Sequence, residues 1–183
     1  MNALDRSIVP HLRRILTMYP IIAVTGPRQS GKTTLLKTVF HDYRYISLES
    51  PDLREYATLD PKGFLDEYDD KVIFDEVQRV TTLFSYLQTR VDDSGKMGQY
   101  ILSGSQNFLL MENITQSLAG RVALFKLLPF DFGELKNAGL LSSDYMEMMQ
   151  KGFYPAIYDR NIPSDIFYSN YIQTYVEKDI SSV

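Results

Sequence analysis

A short loop bounded by glycines carries residue types that can bind phosphate groups. Residues 26–33 fit the pattern G-x-x-x-x-G-K-T. Glycines allow the backbone to curl until successive N–H groups point into one concavity, and a helix N-terminus behind the loop adds partial positive charge. Lys32 supplies a point charge for the β- and γ-phosphates, and the Thr33 hydroxyl can coordinate a Mg²⁺ ion that bridges them. The expected nucleotide contacts are Gly26, Pro27, Arg28, Gln29, Ser30, Gly31, Lys32, Thr33 and Thr34.

The residues before this loop are typical of a strand and those after it are typical of a helix, as a phosphate-binding loop requires. The β-branched run 21–25 precedes the loop and is typical of a strand, and the helix-like stretch 34–37 follows it. A pattern match alone can arise by chance, and its alternative is an ordinary turn that contains glycine. The order of strand, loop and helix favours a triphosphate site over such a turn.

A second group of residues matches the other half of a phosphate-loop enzyme. Residues 72–74 form an apolar run that ends in two adjacent carboxylates, Asp75 and Glu76. At the strand tip Asp75 would hold Mg²⁺, whereas Glu76 could turn toward the space beyond the γ-phosphate and accept a proton from attacking water. The alternative is an exposed pair of acids at a strand end. The presence of both motifs in the expected order favours the catalytic interpretation.

Polar residues also follow the predicted fourth strand. Its apolar part ends in Ser103-Gly104-Ser105-Gln106. In a sheet of this kind a hydroxyl or amide at this place lies between the carboxylate and the γ-phosphate, where Ser105 or Gln106 could orient the water. A Ser-Gly-Ser turn is equally ordinary loop chemistry, so both interpretations stay open.

Arginines offer a further charge for the reaction. Arg121 follows a glycine at a predicted helix end. An arginine can stabilise the charge that develops on a transferred phosphoryl group, either within its own chain or from a neighbouring subunit. The alternative is a salt-bridged arginine at the start of a strand. Arg28 is likewise either a phosphate contact or a surface side chain.

Strands and helices alternate along the chain. The predicted strands cover 21–25, 43–48, 71–75, 99–103 and 121–127, and the predicted helices cover 4–18, 32–40, 82–92, 107–118 and a stretch from 165 onward, with a mixed helical region up to 68. This alternation predicts an α/β fold of three layers around a mainly parallel five-stranded sheet, with binding residues at the carboxyl ends of the strands. The strand inserted between the two motifs, together with Glu76 after Asp75, is typical of the ATPase division of phosphate-loop proteins and predicts the strand order 5-1-4-3-2.

Composition excludes several other classes of protein. The chain has 183 residues, of which 44% are hydrophobic and 23% charged, as in one globular domain. It has no cysteine and only two histidines, so disulfides and thiolate or zinc sites are excluded, and a metal would be oxygen-bound, as Mg²⁺ prefers. The net charge of −4 argues against a protein that coats nucleic acid. Without a long apolar run or a signal-peptide core, no membrane association is expected and the expected location is cytoplasmic.

Several blocks of the sequence together resemble a family of bacterial and archaeal AAA-type ATPases. The blocks are residues 26–33, 75–78, 102–106, 117–121, 128–130 and 175–180. The resemblance covers nearly the whole chain and implies a phosphate-loop domain of the AAA or RecA-like kind over 1–160. It also implies that 161–183 is the helical start of a truncated C-terminal region, because members of this family carry a further C-terminal domain of unknown function.

The same resemblance bears on two individual positions. It implies a catalytic role for Arg121, because the block that contains this arginine is shared with the family. Lys151 departs from the family pattern, since it stands where a G-G-F or G-G-Y block usually has its first glycine. The loop around Lys151 is therefore expected to differ in detail from that of the family.

The activity expected from these features is the binding of Mg·ATP and its hydrolysis to ADP and phosphate, which would drive or gate an absent C-terminal effector domain. The residues expected to be catalytic are Glu76, Lys32, Arg121, Ser105 and Gln106, and the expected metal ligands are Thr33 and Asp75. The main alternative is an ATP-dependent switch or assembly module with little turnover.

Two further activities share the phosphate loop and are less favoured. A GTPase would need a guanine-reading motif such as N-K-x-D, and none follows the fourth or fifth predicted strand. A small-molecule kinase usually needs an arginine-rich lid, and only Arg160 lies beyond Arg121. A homo-oligomer is compatible with an arginine that acts in trans, whereas the sequence does not reveal whether nucleic acid is a partner.

Overall fold

The chain divides into two compact units in its computed structural model, which describes residues 4–105, 114 and 116–176. The larger unit runs from Arg6 to Leu128, and the smaller one combines the residues up to Asp5 with those from Pro129 onward. This division falls before the expected boundary at residue 160, because residues 129–160 share an apolar core with the helices that follow them. That residues 161–183 begin a further domain stays a prediction.

A five-stranded parallel sheet forms the centre of the larger unit. The strands are β1 (Ile21–Gly26), β2 (Arg44–Ser47), β3 (Val72–Asp75), β4 (Tyr100–Ser105) and β5 (Val122–Lys126). Their order across the sheet is β2-β3-β4-β1-β5, and every neighbouring pair is parallel. The predicted order 5-1-4-3-2 is the same order counted from the opposite edge and is therefore confirmed.

Helices precede and connect these strands. They are α1 (Val9–Leu16), α2 (Lys32–Val39), α3 (Pro51–Leu59), α4 (Pro61–Glu67) and α5 (Leu83–Ser94), with a 3₁₀ turn at Val77–Arg79. Proline begins α3 and α4, where its missing N–H costs no hydrogen bond, and a left-handed Gly95 ends α5. α1 is shorter than the predicted helix over 4–18, and the predicted helix over 107–118 lies largely outside the described residues.

The side chains of β1 alternate between two apolar clusters. Ile21 and Ala23 belong to one cluster, Ile22 and Val24 belong to the other, and all four are fully buried. The first cluster also takes side chains from α3, α4 and α5, and the second takes them from α1 and α2. Because successive strand residues point to opposite faces, the sheet is covered by helices on both sides, and the prediction of three layers is confirmed.

The smaller unit is helical. It contains α6 (Phe132–Asn137), α7 (Tyr145–Lys151), α8 (Pro155–Asp159) and α9 (Ser164–Tyr171), which continues as a π-helical segment at Ile172–Val176. Its core is formed by Leu135, Met148, Ile157, Tyr158 and Phe167. The helix that was predicted from residue 165 thus begins at Ser164. Among the described residues of the chain, no helix is long and apolar enough to cross a membrane.

Gly26 ends β1 at a place where the backbone of two neighbouring segments leaves no room for a side chain. It pairs with Ser105 at the end of β4, and the N–H of Leu127 donates to the carbonyl of Thr25 at 2.7 Å on the other side. A Cβ atom added to Gly26 would lie 2.1 Å from the carbonyl oxygen of Leu127. The φ angle of Gly26 is +151°, which side chains rarely permit. The start of the loop therefore depends on glycine for two separate reasons.

We expect Gly26→Ala to lower the free energy of unfolding by about 3 kcal/mol or more, because it adds both backbone strain and a clash with a main-chain oxygen. Gly95→Ala is the matched control. Gly95 also has a positive φ, of +60°, but nothing lies within 4 Å of an added Cβ. Its substitution should cost only about 1–2 kcal/mol. Urea unfolding measures both changes, and equal losses would contradict the steric argument.

Candidate active site

The carboxyl ends of three neighbouring parallel strands, β3, β4 and β1, carry polar residues and lie side by side. β1 leads into the loop that contains Lys32, β3 ends at Asp75, and β4 lies between them. Ser103 on β4 lies directly opposite Asp75 in the β3–β4 register, and Ser105 lies opposite Gly26. Because all strands run in the same direction, their carboxyl ends bring both sequence motifs together, as the sequence predicts.

The loop between β1 and α2 has a backbone that only a few residue types adopt. Gln29 and Gly31 have φ angles of +60° and +93°. The N–H of Ser30 donates to the carbonyl of Pro27 at 3.3 Å, which closes a turn inside the loop. Lys32 then begins α2 directly after Gly31, so the first N–H groups of this helix lie at the end of the loop. This geometry is the strand, loop and helix start that binds anions.

Lys32 is a buried ammonium group. Its Nζ donates to the carbonyls of Gly26 at 3.0 Å and Pro27 at 2.9 Å. Burial lowers the pKa of Lys32, although the nearby charges of Glu76 and Asp75 oppose that shift. A charge that has lost its water favours an anion beside it, because neutral carbonyls replace the lost solvation only in part. Lys32 thus lies buried against the backbone of the loop, and its role as a phosphate contact stays a prediction.

Asp75 is surrounded by hydroxyl groups. Thr33 Oγ1 donates to Asp75 Oδ2 at 3.0 Å, and Tyr45 donates to the same oxygen. Ser103 donates to Asp75 Oδ1, and the carboxylate is only 5% exposed. Burial and then the bond to Asp75 raise the pKa of Tyr45, so its hydroxyl stays protonated and remains a donor. These hydrogen bonds hold both oxygens of the Asp75 carboxylate in position.

Thr33 and Asp75 fit a magnesium ion by the chemistry of their donors. Both offer oxygen, and their oxygens are close enough to share one ligand sphere. Mg²⁺ usually binds to one or two protein oxygens and takes its remaining ligands from phosphates and water, so a larger cluster is not required. The described residues contain no group of three or more His, Cys, Asp or Glu side chains that could hold a metal.

Glu76 lies beside this carboxylate in a strained conformation. Its φ and ψ angles are +55° and +41°, which are unusual for a residue other than glycine and cost about 1–3 kcal/mol. Its N–H donates to Asp75 Oδ1 at 3.1 Å, which turns the chain sharply at the end of β3. Glu76 is half-buried, and its side chain accepts a hydrogen bond from Gln78. The same amide of Gln78 reaches Ser105 at 3.2 Å.

The other predicted nucleotide contacts lie on the loop and its helix. Arg28 and Thr34 are exposed, and the positive charge of Arg28 is among the charges that act on Lys32. Ser30 is fully buried. Gln106, one of the two candidates for orienting water, lies outside the described residues, so only Ser105 is placed near Glu76.

Arg121 lies at the amino ends of the strands, whereas the phosphate loop lies at their carboxyl ends. Its carbonyl accepts a hydrogen bond from the N–H of Ile21, the first residue of β1. The loop, in contrast, follows the last residue of β1, Gly26. Its guanidinium binds both carboxylate oxygens of Asp92, at 2.6 and 2.7 Å, and thereby lowers the pKa of Asp92. The structure therefore does not bring Arg121 to the phosphate loop of its own chain. A role in the site of a neighbouring subunit stays a prediction.

Arg6 contacts the loop from the N-terminal segment and was not predicted from the sequence. Its Nη1 donates to the carbonyl of Ser30 at 3.1 Å, and its Nη2 donates to the carbonyl of Leu128 at 2.6 Å. The side chain is only 8% exposed. A single arginine before a helix gives no signal of this role, because the contact depends on how α1 packs beside the sheet.

Tyr45, Ser103 and Gln78 are further polar residues of the site that the sequence analysis missed. Ser103 could have been found from the strand register, since it lies opposite Asp75 once β3 and β4 are paired. Tyr45 looks like any aromatic residue of an edge strand. Gln78 was part of a motif block, but its spacing alone does not show that its side chain turns back toward Glu76.

These contacts define a phosphate-loop nucleotide-binding protein, with the loop after β1 and the hydroxyl-bonded carboxylate of Asp75 at the end of β3. The sequence model of the family described as "AAA domain" matches residues 18–136. This match covers more than half of the 183 residues. The chain belongs to this AAA domain family, which confirms the expected AAA-type ATPase domain.

Relatives in sequence are longer than this chain. An uncharacterized protein of Mycobacterium bovis and another of Mycobacterium tuberculosis are each 29% identical to it over 180 residues. The aligned region covers 97% of this chain but 40% of each relative. The chain thus spans less than half the length of the relatives it matches.

Solved structures show the same fold. The Walker-type ATPase of Pyrococcus abyssi has a TM-score of 0.63 at 15% identity, over 98% of this chain and 75% of that one. DnaA of Aquifex aeolicus, bound to AMPPCP, has a TM-score of 0.55 at 18% identity, over 94% of this chain and 64% of that one. Together with the sheet order, these similarities confirm the predicted fold class.

We expect Arg6→Met to lower the free energy of unfolding by about 3 kcal/mol, because the buried contact to the Ser30 carbonyl and the part-buried contact to the Leu128 carbonyl would both lose a charged donor. Methionine keeps the length and much of the apolar contact of the side chain. Arg13→Met is the matched control, since Arg13 is exposed on α1 and its loss should cost less than about 0.5 kcal/mol. Urea unfolding tests both variants. A loss for Arg6→Met that is no larger than the control would show that the contact does not hold the loop.

Proposed function

We propose that this chain binds Mg·ATP and hydrolyses it to ADP and phosphate. The observation that carries the proposal is the hydrogen bond from Thr33 to Asp75, since it joins the phosphate loop to the carboxylate strand. Lys32 directly precedes Thr33 in the chain and Glu76 directly follows Asp75, so a phosphate binder, two metal ligands and a proton acceptor would meet at the carboxyl end of the sheet. Each part of the reaction then has a residue of suitable chemistry.

Binding depends on the loop and Lys32. The backbone N–H groups at the start of α2 face the phosphates, and the Lys32 ammonium exchanges two neutral carbonyl contacts for an anion. Thr33 and Asp75 would hold a magnesium ion, and the bound ion would neutralise phosphate charge. The hydroxyls of Tyr45 and Ser103 fix the direction of the Asp75 carboxylate.

Hydrolysis depends on Glu76. Its carboxylate accepts a proton from the attacking water while the water oxygen forms a bond to the γ-phosphorus and the bond to the β,γ-bridging oxygen breaks. The products are ADP and inorganic phosphate, and the proton on Glu76 returns to solvent. Glu76 directly follows Asp75, and this position supports a role as the base over a pure switch with little turnover.

We propose that the hydrolysis serves a longer protein. The match covers only 40% of each relative, so hydrolysis here would drive or gate a further part of a longer protein. Arg121, at the edge away from its own loop, would complete the site of a second copy in a homo-oligomer. ATP is favoured over GTP because the sequence lacks a guanine-reading motif after the fourth or fifth strand.

We expect Lys32→Ala to abolish the rise in Tm that ATP produces. ATP at a hundredfold excess over its Kd should stabilise the unchanged protein by about 2.7 kcal/mol, and this effect requires affinity for the folded state. Lys62→Ala is the matched control, because Lys62 lies on the surface of α4 and pairs with the exposed Asp66. Thermal unfolding with and without ATP measures the shift. A full shift in Lys32→Ala would place the nucleotide elsewhere.

We expect Glu76→Gln to retain ATP binding and to lose multiple turnover by a factor of roughly 10²–10⁴, because an amide of the same shape cannot accept the proton. The release of inorganic phosphate measures turnover, and the ATP-induced rise in Tm measures binding. Glu55→Gln, on the exposed surface of α3, is the control for loss of a carboxylate. Undiminished phosphate release in Glu76→Gln would remove Glu76 as the base.

A further inference from the structure

We infer that Gln78 is a positioning residue that holds the carboxylate of Glu76 in the orientation for proton acceptance. This inference rests on the hydrolysis proposed above and concerns a residue that touches no reacting atom. It starts from one side-chain amide that binds two residues of the site, Glu76 and Ser105. These two residues come from different strand ends, so the amide connects parts of the site that the backbone does not connect directly.

The backbone around Gln78 is held firmly in place. Gln78 is the middle residue of the 3₁₀ turn at Val77–Arg79, and both Val77 and Val80 are buried in the first apolar cluster. The N–H of Arg79 donates to the carbonyl of Glu76 at 3.0 Å, and the N–H of Val80 donates to the carbonyl of Val77 at 3.1 Å. With apolar anchors on both sides, the side chain of Gln78 is directed back over Glu76 rather than free to swing.

The contacts of Gln78 use the donor end of its amide. Its Nε2 donates to Glu76 Oε2 at 2.5 Å and to Ser105 Oγ at 3.2 Å. Its Oε1 is buried and has no hydrogen-bond partner among the described residues. A buried acceptor without a partner costs free energy, so the two donated bonds decide where this side chain lies. The bond to a carboxylate is charge-assisted and is the stronger of the two.

Glu76 needs such a partner because its own backbone does not fix its carboxylate. The left-handed φ of +55° turns the residue out of the strand, and a glutamate side chain has three rotatable bonds. Proton acceptance requires the carboxylate to lie within hydrogen-bond reach of the attacking water. Through Gln78 the carboxylate is tied to Ser105, which pairs with Gly26 at the start of the phosphate loop. The position of the base is thereby set relative to the loop that would hold the nucleotide.

The variant Gln78→Met tests this role, because methionine has the same length and no donor. We expect kcat for ATP hydrolysis to fall by roughly tenfold to a hundredfold, as for the loss of a hydrogen bond to a charged group. KM for ATP and the ATP-induced rise in Tm should change by less than about twofold, since the loop and Lys32 are untouched. Gln88→Met on α5 is the matched control and should leave kcat unchanged.

A double-mutant cycle separates positioning from a general structural effect. If Gln78 acts through Glu76, Gln78→Met should have no further effect on phosphate release in a Glu76→Gln background. An equal fold-loss in both backgrounds would overturn the inference, and so would an unchanged kcat in the single Gln78→Met variant. Loss of hydrolysis in Glu76→Gln alone tests the proposed function, so the two claims can fail separately.

The side-chain amide of Gln78 gives a second readout that does not depend on turnover. Its pair of N–H signals in a ¹H–¹⁵N spectrum is identified by its disappearance in Gln78→Met. We expect this pair to shift in Glu76→Ala and in Ser105→Ala, because each variant removes one acceptor of the amide. Signals that stay in place in both variants would show that the amide does not bind these residues in solution and would overturn the inference.

Discussion

The hydrogen bond between Thr33 and the carboxylate of Asp75 is the contact on which the site depends. It joins the first turn of α2 to the end of β3, although the two residues are 42 positions apart in the chain. It can form because β1 and β3 both flank β4 and run parallel to it, so their carboxyl ends lie at the same edge. Ser103, on the strand between them, fixes the other oxygen of the same carboxylate.

The position of Asp75 is in turn a consequence of the apolar core. Ile73 and Phe74 on β3 point to opposite faces of the sheet and are fully buried in different clusters. A slip of one residue in the pairing of β3 would exchange these faces and would move a carboxylate into one of the clusters, at a high cost in free energy. The packing of two apolar side chains therefore fixes the register that brings the carboxylate to the loop. The burial of Ile73 and Phe74 thus brings the Asp75 carboxylate to the position in which Thr33 and Ser103 can bind it.

The sequence allowed the strands, their order and the two motifs to be predicted, because each depends on local patterns. The apolar runs before Gly26 and Asp75 indicate buried parallel strands, and the motif order sets the topology. Contacts that depend on register or on packing between distant segments were not predictable: Tyr45 reaches Asp75 from an edge strand, and Arg6 reaches the loop across 24 positions. The end of α1 and the division of the chain at Leu128 also differ from expectation, since periodicity does not show where tertiary packing stops.

The polarity of a parallel sheet also limits what Arg121 can do. A residue at the amino ends of the strands is separated from its own loop by the full length of β1, which spans six residues, or about 20 Å. No rotamer of an arginine bridges that distance, so its charge can reach a phosphate only on another molecule. Any such phosphate must also compete with Asp92, which binds the guanidinium through two hydrogen bonds. That pair is partly exposed, so it is a solvated ion pair of the kind that contributes little to stability.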